Sequence, residues 1–223
     1  MPTPADLFAA IDAGDPAAVD ALLAADPALA ATVADDGISA VLKACYAWQF
    51  EIAARLGEAK ASAGDLDILE AAALGRADDV RVILAADPAA VRAWSADGFT
   101  ALHYAAFFGG LETAQALIAA GADVTAPSRN PMAVLPQHSA AAGQKADVVA
   151  ALLDAGVPVD APSQGGFTVL HSAAQNGDAA FVDMLLERGA NPACKTEDGR
   201  SAADLAAAAG HEPLAVLLRR ATP

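Results

Sequence analysis

The sequence predicts an all-α fold built from tandem helix–turn–helix units. Three observations predict it. First, the stretch from Asp97 to Thr125, DGFTALHYAAFFGGLETAQALIAAGADVT, recurs as GGFTVLHSAAQNGDAAFVDMLLERGANPA from Gly165 to Ala193. Thr100, Leu102-His103, Ala105-Ala106, Gly109, Leu117-Ile118 and Gly121 find equivalents in Thr168, Leu170-His171, Ala173-Ala174, Gly177, Leu185-Leu186 and Gly189. Second, hydrophobic residues make up 55% of the 223 residues and aromatics only 5%. Alanine supplies the difference, and it combines high helix propensity with close helix approach. Third, N-cap residues and glycines punctuate the chain at helix spacing.

Within the first stretch, the Asp97-Gly98 turn leads to Thr100 as N-cap, and a short apolar helix is expected from Ala101 to Phe108. Gly109-Gly110 closes it. A second helix should carry Thr113, Leu117 and Ala120 on one face, with Ala114 and Ile118 beside them. The T-x-L-H-x-A-A pattern and its period of ~33 residues resemble the ankyrin repeat family. The resemblance covers nearly the whole chain and implies an ankyrin-repeat solenoid of stacked helix-turn-helix pairs with β-turn fingers.

Seven repeats are expected in one domain, at about residues 5–35, 36–64, 65–95, 96–129, 130–162, 163–195 and 196–221. In the first, Asp15 and Pro16 open the second helix. Leu7, Phe8 and Ile11 should face inward, and Asp6 and Asp12 outward. The second departs most. Ser39 caps, Leu42 takes the histidine position, and Trp48 stands where the turn glycine belongs; its second helix is expected near Glu51 to Glu58. In the third, Asp87-Pro88 replaces the Gly-Ala-Asp loop, as Asp26-Pro27 does in the first. These Asp-Pro loops resemble a bacterial variant of the repeat. The fourth is the opening stretch. The fifth aligns His138 with His171, and Gln144 takes its glycine position. Its loop from Gly121 to Leu135 is two residues longer than that from Gly156 to Thr168, with the excess placed in Ser128–Met132. The sixth is complete. The seventh, capped by Ser201 with Asp204 in place of histidine, ends on Arg219-Arg220.

Net charge is −15. Through Glu112 there are 17 acidic and 6 basic residues; from Thr113 onward, 11 and 7. A nucleic-acid binder needs a basic footprint, so no nucleic acid is expected. A neutral or basic protein partner fits better. No apolar run approaches the ~20 residues of a membrane span, and the opening MPTPADLFAAIDAGDP does not read as a secretory leader. Cys45 and Cys194 fall in distant repeats, which favours free thiols and a reducing cytoplasmic setting; a monomer in isolation is expected.

No catalytic, metal or cofactor site is expected. His103, His138 and His171 recur at the repeat period, so they occupy one structural position on successive repeats rather than a shared metal site. The resemblance implies that they bridge backbone groups. Gly109-Gly110 and Gly165-Gly166 lack phosphate-loop context, and Ser172 lacks a nucleophile elbow. The resemblance instead implies a partner surface on the concave face and fingers. Its candidate residues are Tyr46, Trp48, Trp94, Asp97, Phe99, Phe107, Phe108, Arg129, Phe167, Gln175 and Asn176. Exposed aromatics would anchor a partner, and Asp35, Asp36, Asp65 and Asp97 would give a negative rim. The function expected is a non-enzymatic protein–protein interaction module. Regulation of an enzyme by occlusion, as an inhibitor or immunity-type protein, is the alternative, and a small-molecule binder comes after it.

Overall fold

A computed structural model describes residues 1–222. They divide into two compact units, the first Met1–Ala122 and the second beginning at Asp123. Among the described residues the regular structure is helical, apart from isolated β-bridges at finger turns.

The first unit holds α1 (Pro4–Ala13), α2 (Pro16–Ala25), α3 (Ala40–Tyr46), α4 (Phe50–Ala63), α5 (Ile68–Ala73), α6 (Ala77–Ala86), α7 (Ala101–Tyr104) and α8 (Leu111–Ala119). Local chemistry sets the starts. Thr3 and Asp6 form a reciprocal capping box before α1, Asp67 and Glu70 do so at α5, and Thr100 and His103 at α7. Asp15 accepts from the Ala18 amide at α2, with Pro16 at the first helical position. Asp26 and Asp87 each cap a short 3-10 turn that begins at the following proline. That is the structure the Asp-Pro loops adopt.

Odd-numbered helices pack side by side, α1 on α3, α3 on α5 and α5 on α7, and the even-numbered helices form the layer behind, α2 on α4 and α6 on α8. Alanines make the close approach possible. Ala44, Ala71, Ala72, Ala105 and Ala106 are fully buried. Leu7, Ile11, Val19, Ile52, Leu56, Val80, Leu102 and Leu117 fill the space between layers; each buried aliphatic side chain contributes about 1.5–3 kcal/mol.

The second unit holds α9 (Pro136–Ala142), α10 (Ala146–Asp154), α11 (Val169–Asn176), α12 (Ala179–Glu187), α13 (Ala202–Ala208) and α14 (Glu212–Ala221). Here α11 lies between α9 and α13. The core comprises Val148, Leu152, Leu170, Phe181, Leu185 and Leu218. The lengthened loop is tied by its own polar groups. The Ser128 amide donates to the Val134 carbonyl at 2.8 Å, and the Met132 amide to Asn130 Oδ1 at 3.1 Å.

Several sequence expectations need correction. Phe8 is only half-buried, because Leu7 and Ile11 already fill the inner face. The second helix of the second pair runs from Phe50 to Ala63 rather than Glu51 to Glu58. Gly57 lies inside it, and the Leu74 side chain packs where a Cβ would project. Ala120 is exposed and caps α8 instead of lying on its inner face. The stretch from Ala101 to Phe108 is not one α-helix: after Tyr104 the backbone widens into a π-helical turn, Ala105–Gly109. The positive φ that ends this turn falls on Gly110, at 105°, and not on Gly109.

Candidate functional site

The features that could recognise a partner concentrate in the first unit, where α3 and α7 end. Tyr46 is the last residue of α3 and Trp48 lies two residues beyond. Phe107 and Phe108 lie in the π-helical turn that follows α7. Between α3 and α7 lies α5, whose equivalent positions are Ala73 and Leu74. Those smaller side chains leave room for the rings on either side to meet.

They do meet. Phe108 receives Tyr46 at 5.7 Å between ring centroids, Trp48 at 6.1 Å and Phe50 at 6.4 Å, all edge-to-face. Phe107 packs on Phe108 at 4.6 Å and on Trp48 at 6.0 Å, and Trp48 meets Phe50 at 5.6 Å. Such pairs contribute about 0.5–1.5 kcal/mol each beyond their area. Phe107 and Phe108 are half-buried at the base. Trp48, Phe50 and Tyr46 keep 62%, 50% and 40% of their surface open, so the cluster presents a continuous aromatic face.

Two backbone devices place these rings. Trp48 adopts the left-handed conformation with φ 59° at a position that glycine fills in most other pairs and Gln144, at φ 56°, in the fifth. An L-residue there costs about 1–2 kcal/mol. The turn that Trp48 put in doubt is therefore kept, at the expense of strain. In the π-helical turn, Gly109 lies against the neighbouring backbone, and a Cβ on it would sit 2.2 Å from the Ala72 carbonyl oxygen. Only glycine allows that approach.

A polar network borders the rings. Tyr46 OH donates to Asp97 Oδ2, Tyr104 OH donates to Asp97 Oδ1 at 2.8 Å, and Ser95 Oγ also donates to Oδ1. Burial pushes both phenols well above the ordinary tyrosine range, and the Asp97 charge pushes the same way. Asp97 is thus half-buried and held by hydroxyls rather than standing on an open acidic rim. Asp36 likewise pairs with Lys43. Phe99 packs within its own repeat, 5.5 Å from the His103 ring and 6.0 Å from that of Tyr104, and Trp94 lies 6.5 Å from His103.

The second unit holds the remaining candidates. Gln175 and Asn176 are exposed at the end of α11, Arg129 is exposed in the long loop, and Phe167 is half-buried 5.8 Å from the His171 ring. Tyr46, Trp48, Phe107, Phe108 and Asp97 form one network in the first unit.

Phe50 and Tyr104 belong to the network and were missed in the sequence. Phe50 opens α4, just past the pair of residues that the repeat pattern assigns to the recognition face. The adjacency of Trp48 and Phe50 was the signal available. Also missed was a buried ion pair beneath α5. Lys60 Nζ lies 2.6 Å from Glu70 Oε1, and Glu70 is fully buried at the position histidine holds in other pairs. Burial raises the Glu70 pKa, helped by Asp67 and opposed by Ser39 and Lys60. The capping-box spacing of Asp67 and Glu70 was its only trace in the sequence.

The histidines act on backbone and cap groups. His138 Nδ1 accepts from the Leu135 amide at 3.0 Å, which leaves Nε2 to donate to the Ala161 carbonyl at 3.0 Å. His171 Nδ1 pairs with Thr168 Oγ1 at 2.9 Å, as His103 does with Thr100 at 2.8 Å. Burial lowers the pKa of both His138 and His171. The backbone of Cys194 and Arg200 opposes the shift at His171, although no hydrogen bond of good geometry reaches its Nε2 among the described residues. Among those residues no three His, Cys, Asp or Glu side chains gather as a metal site, and no helix is long and apolar enough to cross a membrane.

Comparison with known proteins agrees with this architecture. Residues 97–129 match the ankyrin repeat model, and residues 152–206 match the model for ankyrin repeats in many copies. Zygote-specific protein 3 of Chlamydomonas reinhardtii is 41% identical over 105 residues, 47% of this chain and 27% of that protein. Human ankyrin repeat and SOCS box protein 11 is 36% identical over 88 residues, 40% of this chain and 27% of that one. A putative ankyrin repeat protein of Neisseria meningitidis is 44% identical over 55 residues, 25% of this chain and 22% of that one. The chain spans about a quarter of the length of these curated relatives. Ankyrin repeats are generally protein–protein interaction modules and the family is typically non-enzymatic. Two segments of the chain are thus ankyrin repeats, and capped helix pairs with histidine-anchored turns recur in both units.

Proposed function

We propose that this chain is a non-enzymatic recognition module that binds a neutral or basic partner protein through the aromatic face of its first unit, with the finger turns at its margin. The observation that carries this reading is the joint exposure of Trp48, Phe50 and Tyr46 on one packed ring cluster. Clustered exposed aromatics mark partner surfaces, and Trp and Tyr are typical anchors. Trp48 supports it further, because a strained bulky residue at a solvent-facing turn lowers stability without filling the core. The cluster is held by internal packing, so little ordering entropy opposes association. The reading takes the chain as seven repeats, monomeric in isolation. Its two unpaired cysteines fit a reducing, cytoplasmic setting.

The test is affinity capture from source lysate with wild-type chain and with Trp48→Ala/Phe50→Ala, followed by mass spectrometry and titration of the purified partner. The reading requires a partner that binds wild type and is weakened at least ~30-fold, the size of a hot-spot loss, by the double substitution. Equal capture by a variant of wild-type helicity would overturn it.

A further inference from the structure

We infer that the aromatic face of the first unit seats an arginine side chain of the partner, its guanidinium stacked on the Trp48 and Phe50 rings. This deepens the functional reading above and rests on it.

Three observations carry it. The rings meet edge-to-face, Trp48 on Phe50 at 88° and Phe50 on Phe108 at 68°. Such packing keeps the cluster rigid, and the large open area of Trp48 and Phe50 offers π-surface to solvent. Ring faces carry negative quadrupole potential and attract cations, tryptophan most strongly. Second, the surrounding unit is acidic: residues 1–122 hold seventeen carboxylates against six cations. Third, five of the unit's six cations are spent elsewhere, Arg92 being the sixth. Lys43 pairs with Asp36, Arg55 with Asp20 and Glu51, Lys60 with Glu70, Arg76 with Asp79, and Arg81 with Asp78 and Glu112. Among the described residues none stacks on Tyr46, Trp48, Phe50, Phe107 or Phe108. The face is thus a cation-attracting surface in an acidic unit, with no cation stacked on its rings among the described residues.

Arginine fits it better than lysine. A guanidinium is planar, sheds water more easily than an ammonium and stacks flat on an aromatic ring. A purely apolar anchor would use the rings and forgo the field.

The test uses the full chain carrying Trp94→Phe, which leaves Trp48 as the sole tryptophan, since the sequence has two. Three capped hexapeptides, alternating glycine with arginine, lysine or leucine, are titrated against its fluorescence at 0.15 M salt. The expected result is saturable change in Trp48 emission, with the arginine peptide bound at least about threefold more tightly than the lysine peptide. That preference should vanish in Phe50→Leu, while circular dichroism confirms folding. A second readout, displacement of the arginine peptide from wild-type chain, guards against an effect of Trp94→Phe. Equal binding of arginine and lysine peptides would mean a diffuse acidic surface and overturn the inference. Tightest binding of the leucine peptide would overturn it too, yet leave the aromatic face as a partner site. No binding of any peptide would count against the inference alone, because capture of a partner through Trp48 and Phe50 is measured separately.

Discussion

The hydroxyl of Tyr46 donates to the carboxylate of Asp97, fifty-one residues further along the chain. In stacked repeats each module ordinarily touches only its neighbours. This bond joins the end of α3 to the finger before α7 and passes over α5. It fixes the spacing at which Tyr46 and Phe108 meet, and so makes one surface of two repeats.

Tyr46→Phe keeps the ring and removes that bond. Loss of a hydrogen bond to a charged acceptor costs about 1.5–3 kcal/mol, and partial exposure of Tyr46 places the expected loss at the lower end. Urea denaturation would measure it. An unchanged midpoint would show that the bond is decorative.

The two tyrosines are the only ones in the chain, and both phenols are held above their ordinary value of 10. The folded state therefore retains protons that the unfolded state releases as pH rises past 10. Stability should fall above that pH. Absorbance at 295 nm should stay flat until the chain unfolds. A smooth phenolate titration near pH 10 with the fold intact would contradict the burial described here.

Trp48→Gly and Trp48→Ala remove the same ring, but only glycine relieves the left-handed backbone. The glycine variant should be more stable than the alanine variant by about 1 kcal/mol, although glycine is the costlier residue elsewhere. The reverse order in thermal melts would mean that the turn is not strained.

Gly109→Ala should destabilise by about 1–3 kcal/mol, the usual range for overpacking, because the added methyl meets the Ala72 carbonyl. Partner binding should weaken with it, since the π-helical turn carries Phe107 and Phe108. Calorimetry of the variant, followed by titration of the folded fraction, checks both.

Lys60→Met leaves the Glu70 carboxylate buried without its cation, at a cost of about 3–5 kcal/mol. The double variant Lys60→Met/Glu70→Leu should regain much of that loss. A double variant no better than the single would show that Glu70 is held chiefly by its backbone cap.

In the second unit the depressed histidines set an acid limit. His138 and His171 are kept neutral by burial, so the unfolded state takes up protons first as pH falls through 6.5. Their contribution is complete above 6.5 and is lost as pH drops through their lowered folded values. Denaturation midpoints between pH 7 and 5 should decline, and His138→Gln/His171→Gln should flatten the decline.

The helix pairs, their caps and the histidine positions were legible from Thr100, Thr168, Asp15 and the glycines, because those signals act within three or four residues. The equivalence of His138 with His171 could be read by counting. What Trp48 would do could not: whether it broke the turn or bore the strain depended on ring partners more than fifty residues away in Phe107 and Phe108. The same distance hid the Asp97 bonds, so Asp97 read as an open rim charge, and hid the contact of Phe50 with Phe108. Local spacing is written in the order of the residues. Which rings, charges and hydroxyls share one surface is decided by tertiary packing, because the small side chains of α5 bring its neighbours together across it.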